Sequence, residues 1–247
     1  MADNELTRIL KKGSEEIGVF PDEGQIESLN RFADALREKN KVMNLTGITD
    51  DEGIAMRHFV DSLTIVPYIR SEQERAGKES LSLIDIGTGA GFPGIPVKIM
   101  MSPLDITLAD SLQKRLGFLD EVIADLQLQK IKTLHTRAED AGRDKRYRER
   151  YDIAVARAVA DLPVLCEYCL PFVKTGGVFL AMKGKSEDET KRAAKAVATL
   201  GGNIEKCDSF CLPGTDMGRS VIVIRKVRHT PPGYPRAAGK PSKSPIS

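Results

Sequence analysis

LSLIDIGTGAGFPGIPVKIMM, residues 81–101, joins an apolar run to three alternating glycines and then to two prolines. The opening run is too short for a helix and is rich in Leu and Ile, as a buried strand requires. Gly87, Gly89 and Gly91 supply a turn. Pro93 and Pro96 fall where a helix begins, because first-turn amides have no intrahelical partner to lose. Ile95, Val97, Ile99 and Met100 carry the apolar side onward. The stretch therefore predicts strand, tight glycine turn and helix, the corner at which α/β sheets bind phosphates or nucleosides. A plain strand–helix turn has no need of three glycines, each of which weakens an element that makes no close backbone approach.

Two ligand chemistries fit such a corner. Gly89, Gly91 and Gly94 satisfy G-x-G-x-x-G, the dinucleotide fingerprint, which is a weak match alone. Asp85-x-Gly87-x-Gly89-x-Gly91 satisfies instead the first motif of S-adenosylmethionine-dependent methyltransferases. A pyrophosphate favours bare amides at a helix N-terminus with no anion nearby, and Asp85 at the strand's end would repel it. Adenosylmethionine carries a sulfonium and an ammonium group, and an acidic residue beside the turn suits both.

Beyond residue 101 strands and helices alternate, which predicts a parallel sheet. Strands are expected over 106–108, 131–136, 153–156 and 178–182, with helices over 111–126, 162–169 and 186–200. Two last strands, roughly 203–212 and 220–228, flank Pro213-Gly214 as an antiparallel hairpin. The expected class is α/β, a doubly wound, mostly parallel seven-stranded sheet with an N-terminal helical cap.

Ligands of such sheets lie across the carboxyl ends of the central strands. That puts Gly87, Gly89, Phe92, Asp110, Ala138, Glu139, Arg157 and Lys183 at the candidate site. Asp110, about twenty residues past the glycines, suits both ribose hydroxyls in either reading; it equally suits a helix cap before Ser111. Glu139 lies near where an adenine edge would sit, or is a helix-start acid. Arg157 suits a cofactor carboxylate, the substrate or a structural ion pair. Lys183 suits the substrate or plain solvent. His58, in RHFVDSL, lies on an apolar helical face, where a histidine is more often structural than catalytic. No Ser/His/Asp order, His-rich metal motif or P-loop lysine motif occurs.

Residues 1–75 read as helical. The first helix, 4–18, has Leu6, Ile9, Leu10 and Ile17 as its apolar side. Asp22 then caps a helix that buries Ile26, Leu29, Phe32 and Leu36, with Gln25 completing a capping box. A turn at 44–48 precedes a third helix, which ends near Pro67, and 71–80 (SEQERAGKES) reads as a linker. Residues 76–228 form the sheet domain and 229–247 a tail. From Arg225 the chain carries Arg225, Lys226, Arg228, Arg236, Lys240 and Lys243, five prolines and no acid, which predicts an extended, poorly packed terminus. Arg236, Lys240 and Lys243, with Lys183, are the candidate RNA contacts, and Tyr234 is available for stacking. The charged run RDKRYRER (143–150) is expected to be solvated surface.

A formal charge of +2 is too small to announce a nucleic-acid binder, so any basic surface must be local. No stretch approaches the ~20 apolar residues of a membrane span, and the start lacks an export signal; a cytoplasmic, membrane-free protein is expected. Cys166, Cys169, Cys207 and Cys211 have spacings that could hold zinc. Buried thiols are the favoured reading, since free cysteine is among the most buried residue types, and no metal is expected.

Eight segments together resemble one family: NLTGI (44–48), RHFVDSL (57–63), IDIGTGAGFPGIPVKI (84–99), LADSLQKRLGFL (108–119), TRAED (136–140), ARAVA (156–160), MKG (182–184) and TPPGYPRAAGKPSKSPI (230–246). The chain looks like the RsmG (GidB) family of bacterial 16S ribosomal RNA guanine-N7 methyltransferases, from residue 44 to the end. One departure is Ala237-Ala238 after YPR, where members often carry another basic residue. The resemblance implies a class I, Rossmann-like methyltransferase that moves a methyl group from S-adenosyl-L-methionine to guanine 527 of 16S ribosomal RNA. It further implies that Gly87, Phe92, Ala138, Glu139 and Arg157 contact that cofactor, that the partner is the small ribosomal subunit, and that no dedicated general base is needed. A monomer is expected. The rivals are an NAD-dependent oxidoreductase and a non-catalytic RNA-binding module.

Overall fold

Alternate residues of the central strands go to opposite faces, and both faces are apolar. Leu83, Ile153, Val155, Val178, Leu180, Val221 and Val223 enter one buried cluster; Ile84, Ile86, Ala154, Ala156, Phe179, Ala181, Ile222 and Ile224 enter a second. A sheet apolar on both faces must be covered by helices on both. The computed structural model describes residues 4–157, 159–184 and 188–246. Ala158, inside the ARAVA segment, and positions 186 and 187, where the sequence starts a helix, lie outside the described residues.

Seven strands form one sheet: β1 (Ser82–Ile86), β2 (Asp105–Asp110), β3 (Ile131–His135), β4 (Tyr151–Arg157), β5 (Val173–Lys183), β6 (Gly202–Cys211) and β7 (Gly218–Lys226). Their order is β3-β2-β1-β4-β5-β7-β6. The first five pair in parallel, and β7 runs antiparallel to β5 and β6. The winding reverses between β1 and β4, so a crevice opens at their carboxyl ends. The expected sheet, its hairpin and its reversal are all present.

The first face is covered by α1 (Glu5–Glu16), α2 (Glu23–Met43), a π-helical stretch Gly53–Val60 running into α3 (Asp61–Leu63), α4 (Val66–Ala76), α5 (Gly94–Met100) and α6 (Gln113–Asp125). The second is covered by α7 (Ala138–Ala141), α8 (Leu162–Cys169) and α9 (Glu189–Thr199). Asp22 and Gln25 form the reciprocal cap that starts α2. Phe32, at the middle of α2, lies 5.8 Å from Phe59 and 5.2 Å from Phe92, ring centre to ring centre. This aromatic group joins the N-terminal helices to the glycine turn.

Four expectations are corrected. Pro67 does not end a helix; it sits in the first turn of α4, where proline is tolerated. The supposed linker is largely that helix, held by buried Glu72, which accepts from Arg225 at 2.6 Å and Arg75 at 2.7 Å. Cys166 and Cys169 are buried as expected, but Cys207 and Cys211 are exposed on edge strand β6.

The fourth correction is the tail, which is packed and is anchored by the 143–150 run, itself without a buried residue, as surface requires. Arg148 donates to the carbonyls of Tyr234 (2.7 Å) and Thr230 (2.6 Å), and Arg143 to that of Pro235 (2.7 Å). Tyr234 packs against the second apolar cluster, Pro241 is buried, and Lys240–Lys243 form a last turn, α10. Among the described residues no helix is long and apolar enough to cross a membrane, and no group of three or more His, Cys, Asp or Glu could hold a metal ion.

Candidate active site

The glycine turn is forced by backbone conformation. Gly87, Gly89 and Gly91 have φ of 71°, 59° and 97°, a region that L-residues with a Cβ rarely adopt. Gly94 serves a different need: a Cβ there would come within 2.2 Å of Leu108 and 2.9 Å of Asp85, so glycine lets α5 close on the sheet.

The amides of this corner, Ala90 apart, are already occupied. Gly91 and Phe92 donate to Thr88 O, Gly94 to Asp85 Oδ2 at 3.0 Å, and Ile95 to Gly91 O. Gly87 and Thr88 donate to Ala109 O, and Gly89 to Asp110 Oδ2 at 3.0 Å. The result is no cradle for a pyrophosphate, and a carboxylate stands at the helix start. Asp85 is not the open acidic lip that the motif suggested. It is fully buried beneath the turn, where Oδ2 also accepts from Thr88 at 2.7 Å and Oδ1 has no partner among the described residues. Burial pushes its carboxyl up to about 6, against the pull of Thr88, the Gly94 amide and Arg157.

Two cavities meet at the carboxyl ends of β1 and β4, sharing Gly87 and Arg157. The larger, about 560 Å³, is lined by Asp110, Arg115, Ala138, Glu139, Tyr168 and Ser242 among others. Asp110 bonds the amides of Gly89 and Leu112 (2.9 Å), so it caps the approach to α6 as well as facing the cavity. Each carboxylate oxygen keeps a second lone pair for a further donor. Glu139 Oε1 accepts the Gly239 amide at 2.8 Å; among the described residues Oε2 has no hydrogen-bond partner.

The smaller cavity, about 390 Å³, is bounded by Leu45, Thr46, Arg57, His58, Phe92 and Arg219. Arg157 forms the partition. Its Nη1 donates to Asp61 Oδ2 and to Arg57 O, both at 3.0 Å, and its guanidinium lies 5.2 Å from the Phe92 ring centre. His58 stacks on Phe92 at 4.4 Å. Thr46 Oγ1 and His58 Nε2 are 2.8 Å apart, whereas Nδ1 is buried without a hydrogen-bond partner among the described residues. Burial, with Arg157 and Arg57 nearby, pushes His58 down to about 4, so the imidazole is neutral near pH 7.

Gly87, Gly89, Phe92, Asp110, Ala138, Glu139 and Arg157 are thus brought to one crevice. Two candidate RNA contacts are instead tied inward. Lys183 Nζ donates to Ala160 O at 2.8 Å and pairs with Glu189 at 3.0 Å, and Arg236 pairs with buried Glu167. Lys240 and Lys243 are exposed. The sequence reading missed Asp61, Arg219, Tyr168 and Ser242. Asp61, three residues after His58 in RHFVDSL, and Ser242, in TPPGYPRAAGKPSKSPI, stood in segments shared with the family; Arg219 and Tyr168 had no such signal.

The residues present fit S-adenosylmethionine. A Cβ on Gly89 would meet only open space and one backbone oxygen, two carboxylates line the larger cavity, and the turn holds no free set of amides for a diphosphate. Comparison with known proteins agrees. The model of GidB, "rRNA small subunit methyltransferase G", matches residues 25–213. Proteins named ribosomal RNA small subunit methyltransferase G are 53% identical in Acetivibrio thermocellus, over 98% of this chain and 97% of that protein, and 46% identical in Alkaliphilus oremlandii, over 98% and 99%. Among solved structures, a precorrin-6y C5,15-methyltransferase from Geobacter metallireducens superposes with a TM-score of 0.50 at 17% identity, covering 74% of this chain and 98% of that one. The [4+2]-cyclase SpnF also reaches 0.50, at 13% identity, over 68% and 81%. These two share the α/β methyltransferase fold, and a cyclase among them shows why fold alone does not assign chemistry.

Proposed function

We propose the following from one premise: this chain belongs to the GidB family, rRNA small subunit methyltransferase G. It is an S-adenosylmethionine-dependent rRNA methyltransferase, and its acceptor is N7 of one guanine in 16S ribosomal RNA, guanine 527 by family resemblance. The observation that carries this reading is the pair of cavities meeting at Gly87 and Arg157: the larger presents Asp110 and Glu139 alongside Arg115 and Arg137, and the smaller presents Phe92 and His58 with Arg57, Arg219 and Asp61.

When bound, S-adenosylmethionine supplies a methyl group on a cationic sulfur, electrophilic enough for a neutral nitrogen lone pair. Asp110 would hold the ribose hydroxyls, and Glu139 with Ala138 the adenine edge. Gly87 and Gly89 offer main chain without side chains. Arg157 has donors beyond the Nη1 used by Asp61 and would take the methionine carboxylate.

The acceptor base belongs in the smaller cavity, beside Phe92 and between Arg57 and Arg219. Guanine N7 has an in-plane lone pair and carries no proton, so no residue need act as a base. The site's chemistry agrees: His58 is buried, neutral and bonded to Thr46, and both oxygens of Asp61 are held by arginines. Rate would come from orientation, worth up to about 7–11 kcal/mol in favourable cases, and from fixed charges around the transfer. In duplex RNA N7 lies in a deep, narrow groove, so an unpaired guanine is the expected substrate. Equilibrium titration with S-adenosylhomocysteine and with NAD(H) tests the crevice. Binding of the first without the second is expected; the reverse would remove this reading.

A further inference from the structure

Arg236 lies in the basic tail, where composition suggests a phosphate contact, yet its guanidinium does not face outward. Nε donates to Glu167 Oε1 (2.9 Å) and Oε2 (3.1 Å), Nη2 donates to Oε2 (2.6 Å), and the Arg236 amide donates to Oε1 (2.7 Å). Glu167 is 1% exposed. A bidentate pair closed over a buried carboxylate is geometrically specific, and withdrawing one partner leaves an uncompensated buried charge. Such an arginine is unavailable to RNA while the tail is docked.

Three residues further on the tail reaches the crevice. The Gly239 amide donates to Glu139 Oε1, and Gly239 (φ 78°) turns the chain into α10, whose Ser242 lines the larger cavity beside Tyr168. Tyr168 follows Glu167 on α8, so one helical turn receives the anchor and supplies the adjoining wall. Arg148 and Arg143 fix the preceding residues by their carbonyls.

We propose that Arg236 is a positioning residue for the cofactor site: by clamping the tail to Glu167, it holds Gly239 on Glu139 and completes the wall of the larger cavity. The role rests on the assignment of that cavity to S-adenosylmethionine. With Oε1 fixed by the Gly239 amide, Oε2 is the oxygen left to face the ligand. Undocking the tail removes both the wall and that orientation, without touching the smaller cavity.

The test uses the full chain and titrates S-adenosylhomocysteine into wild type, Arg236→Ala, Arg236→Lys and Gly239→Ala below their melting temperatures. Binding to a small-subunit rRNA fragment is followed against salt in parallel. Arg236→Ala should raise the cofactor Kd by about tenfold, equivalent to about 1.4 kcal/mol, and raise KM for S-adenosylmethionine with kcat unchanged. Arg236→Lys should recover part of this, since one ammonium replaces a fork. The slope of RNA affinity against salt should stay at its wild-type value. An unchanged cofactor Kd with a salt slope lower by about one would instead make Arg236 a phosphate contact and overturn the role.

If Arg236→Ala does not fold, Gly239→Ala decides. A Cβ there meets nothing within 4 Å, but any residue with a Cβ is strained at this positive φ, which works against the conformation that aims the amide at Glu139; an unchanged Kd overturns the proposal. Wild-type protein that bound no S-adenosylhomocysteine would remove the cavity's assignment and this role together. Wild-type binding with no change in any variant would remove this role alone.

Discussion

Asp61 Oδ2 accepts from Arg157 Nη1 at 3.0 Å, which ties the N-terminal helices to the carboxyl end of β4 across the mouth of the crevice. Asp61 Oδ1 takes Arg219 Nε at the same distance, so one buried carboxylate is shared by two arginines and the trio keeps a net positive charge. Truncating one partner of a buried pair typically costs about 3–5 kcal/mol. Both arginines here keep some solvent, so Asp61→Ala is expected near the lower end, about 3 kcal/mol, as a shift in the urea midpoint. Cofactor binding should weaken with it, because Arg157 loses the bond that orients it. A midpoint within error of wild type would show that solvent screens the pair.

Asp110 serves two purposes, and substitution should reveal both. Asp110→Ala removes the acceptor for the Gly89 and Leu112 amides and the expected ribose contact. S-adenosylhomocysteine binding should weaken by about 1.5–3 kcal/mol, the range for a hydrogen bond to a charged group. Calorimetric titration reads this directly. Lower stability with an unchanged Kd would leave Asp110 as a structural cap only.

Two buried groups give opposite pH dependences in the same window. Asp85 is raised from 3.8 to about 6, so its contribution to stability is full below 3.8 and lost as pH rises through about 6. His58 is lowered from 6.5 to about 4, so its contribution is full above 6.5 and lost as pH falls toward about 4. Each shift is worth about 3 kcal/mol by linkage, and in the wild type the two largely cancel. Relative to wild type, Asp85→Asn should gain stability as pH rises across this window, and His58→Gln should gain it as pH falls. Urea midpoints across the window check the signs. Curves parallel to wild type would show that neither group titrates as its burial demands.

The outward cations of the tail are Lys240 and Lys243. Replacing both with Ala should lower the salt slope of RNA affinity by about two, roughly one per phosphate contact. Lys183→Ala should leave that slope unchanged and lower stability, because its ammonium is held by Glu189 and Ala160. A reduced slope in Lys183→Ala would show that RNA draws this lysine away from its internal partners.

What could be read from the chain alone had short-range causes. Alternating apolar residues marked the strands, and three positive-φ glycines marked the turn. The strand expected over 131–136 brought Glu139 to the crevice because that residue follows a strand in sequence as well as in space. What could not be read depended on distant partners. Glu139 is 100 residues from Gly239, Glu167 is 69 from Arg236, and Asp61 is 96 from Arg157 and 158 from Arg219. The tail looked unpacked because proline and charge mark segments that cannot build a core. It is held instead by backbone carbonyls accepting from Arg143 and Arg148 and by one buried ion pair. Asp85 was read as exposed because a motif specifies residue type but not depth below the surface.

The central claim, methyl transfer to a guanine N7, is tested by incubating the protein with methyl-labelled S-adenosylmethionine and small-subunit rRNA and mapping the labelled base. Label is expected in N7-methylguanosine at a single position, and none in a transcript made with 7-deazaguanosine, which lacks the accepting nitrogen. Label on any other atom, or undiminished transfer to the 7-deaza transcript, would contradict it.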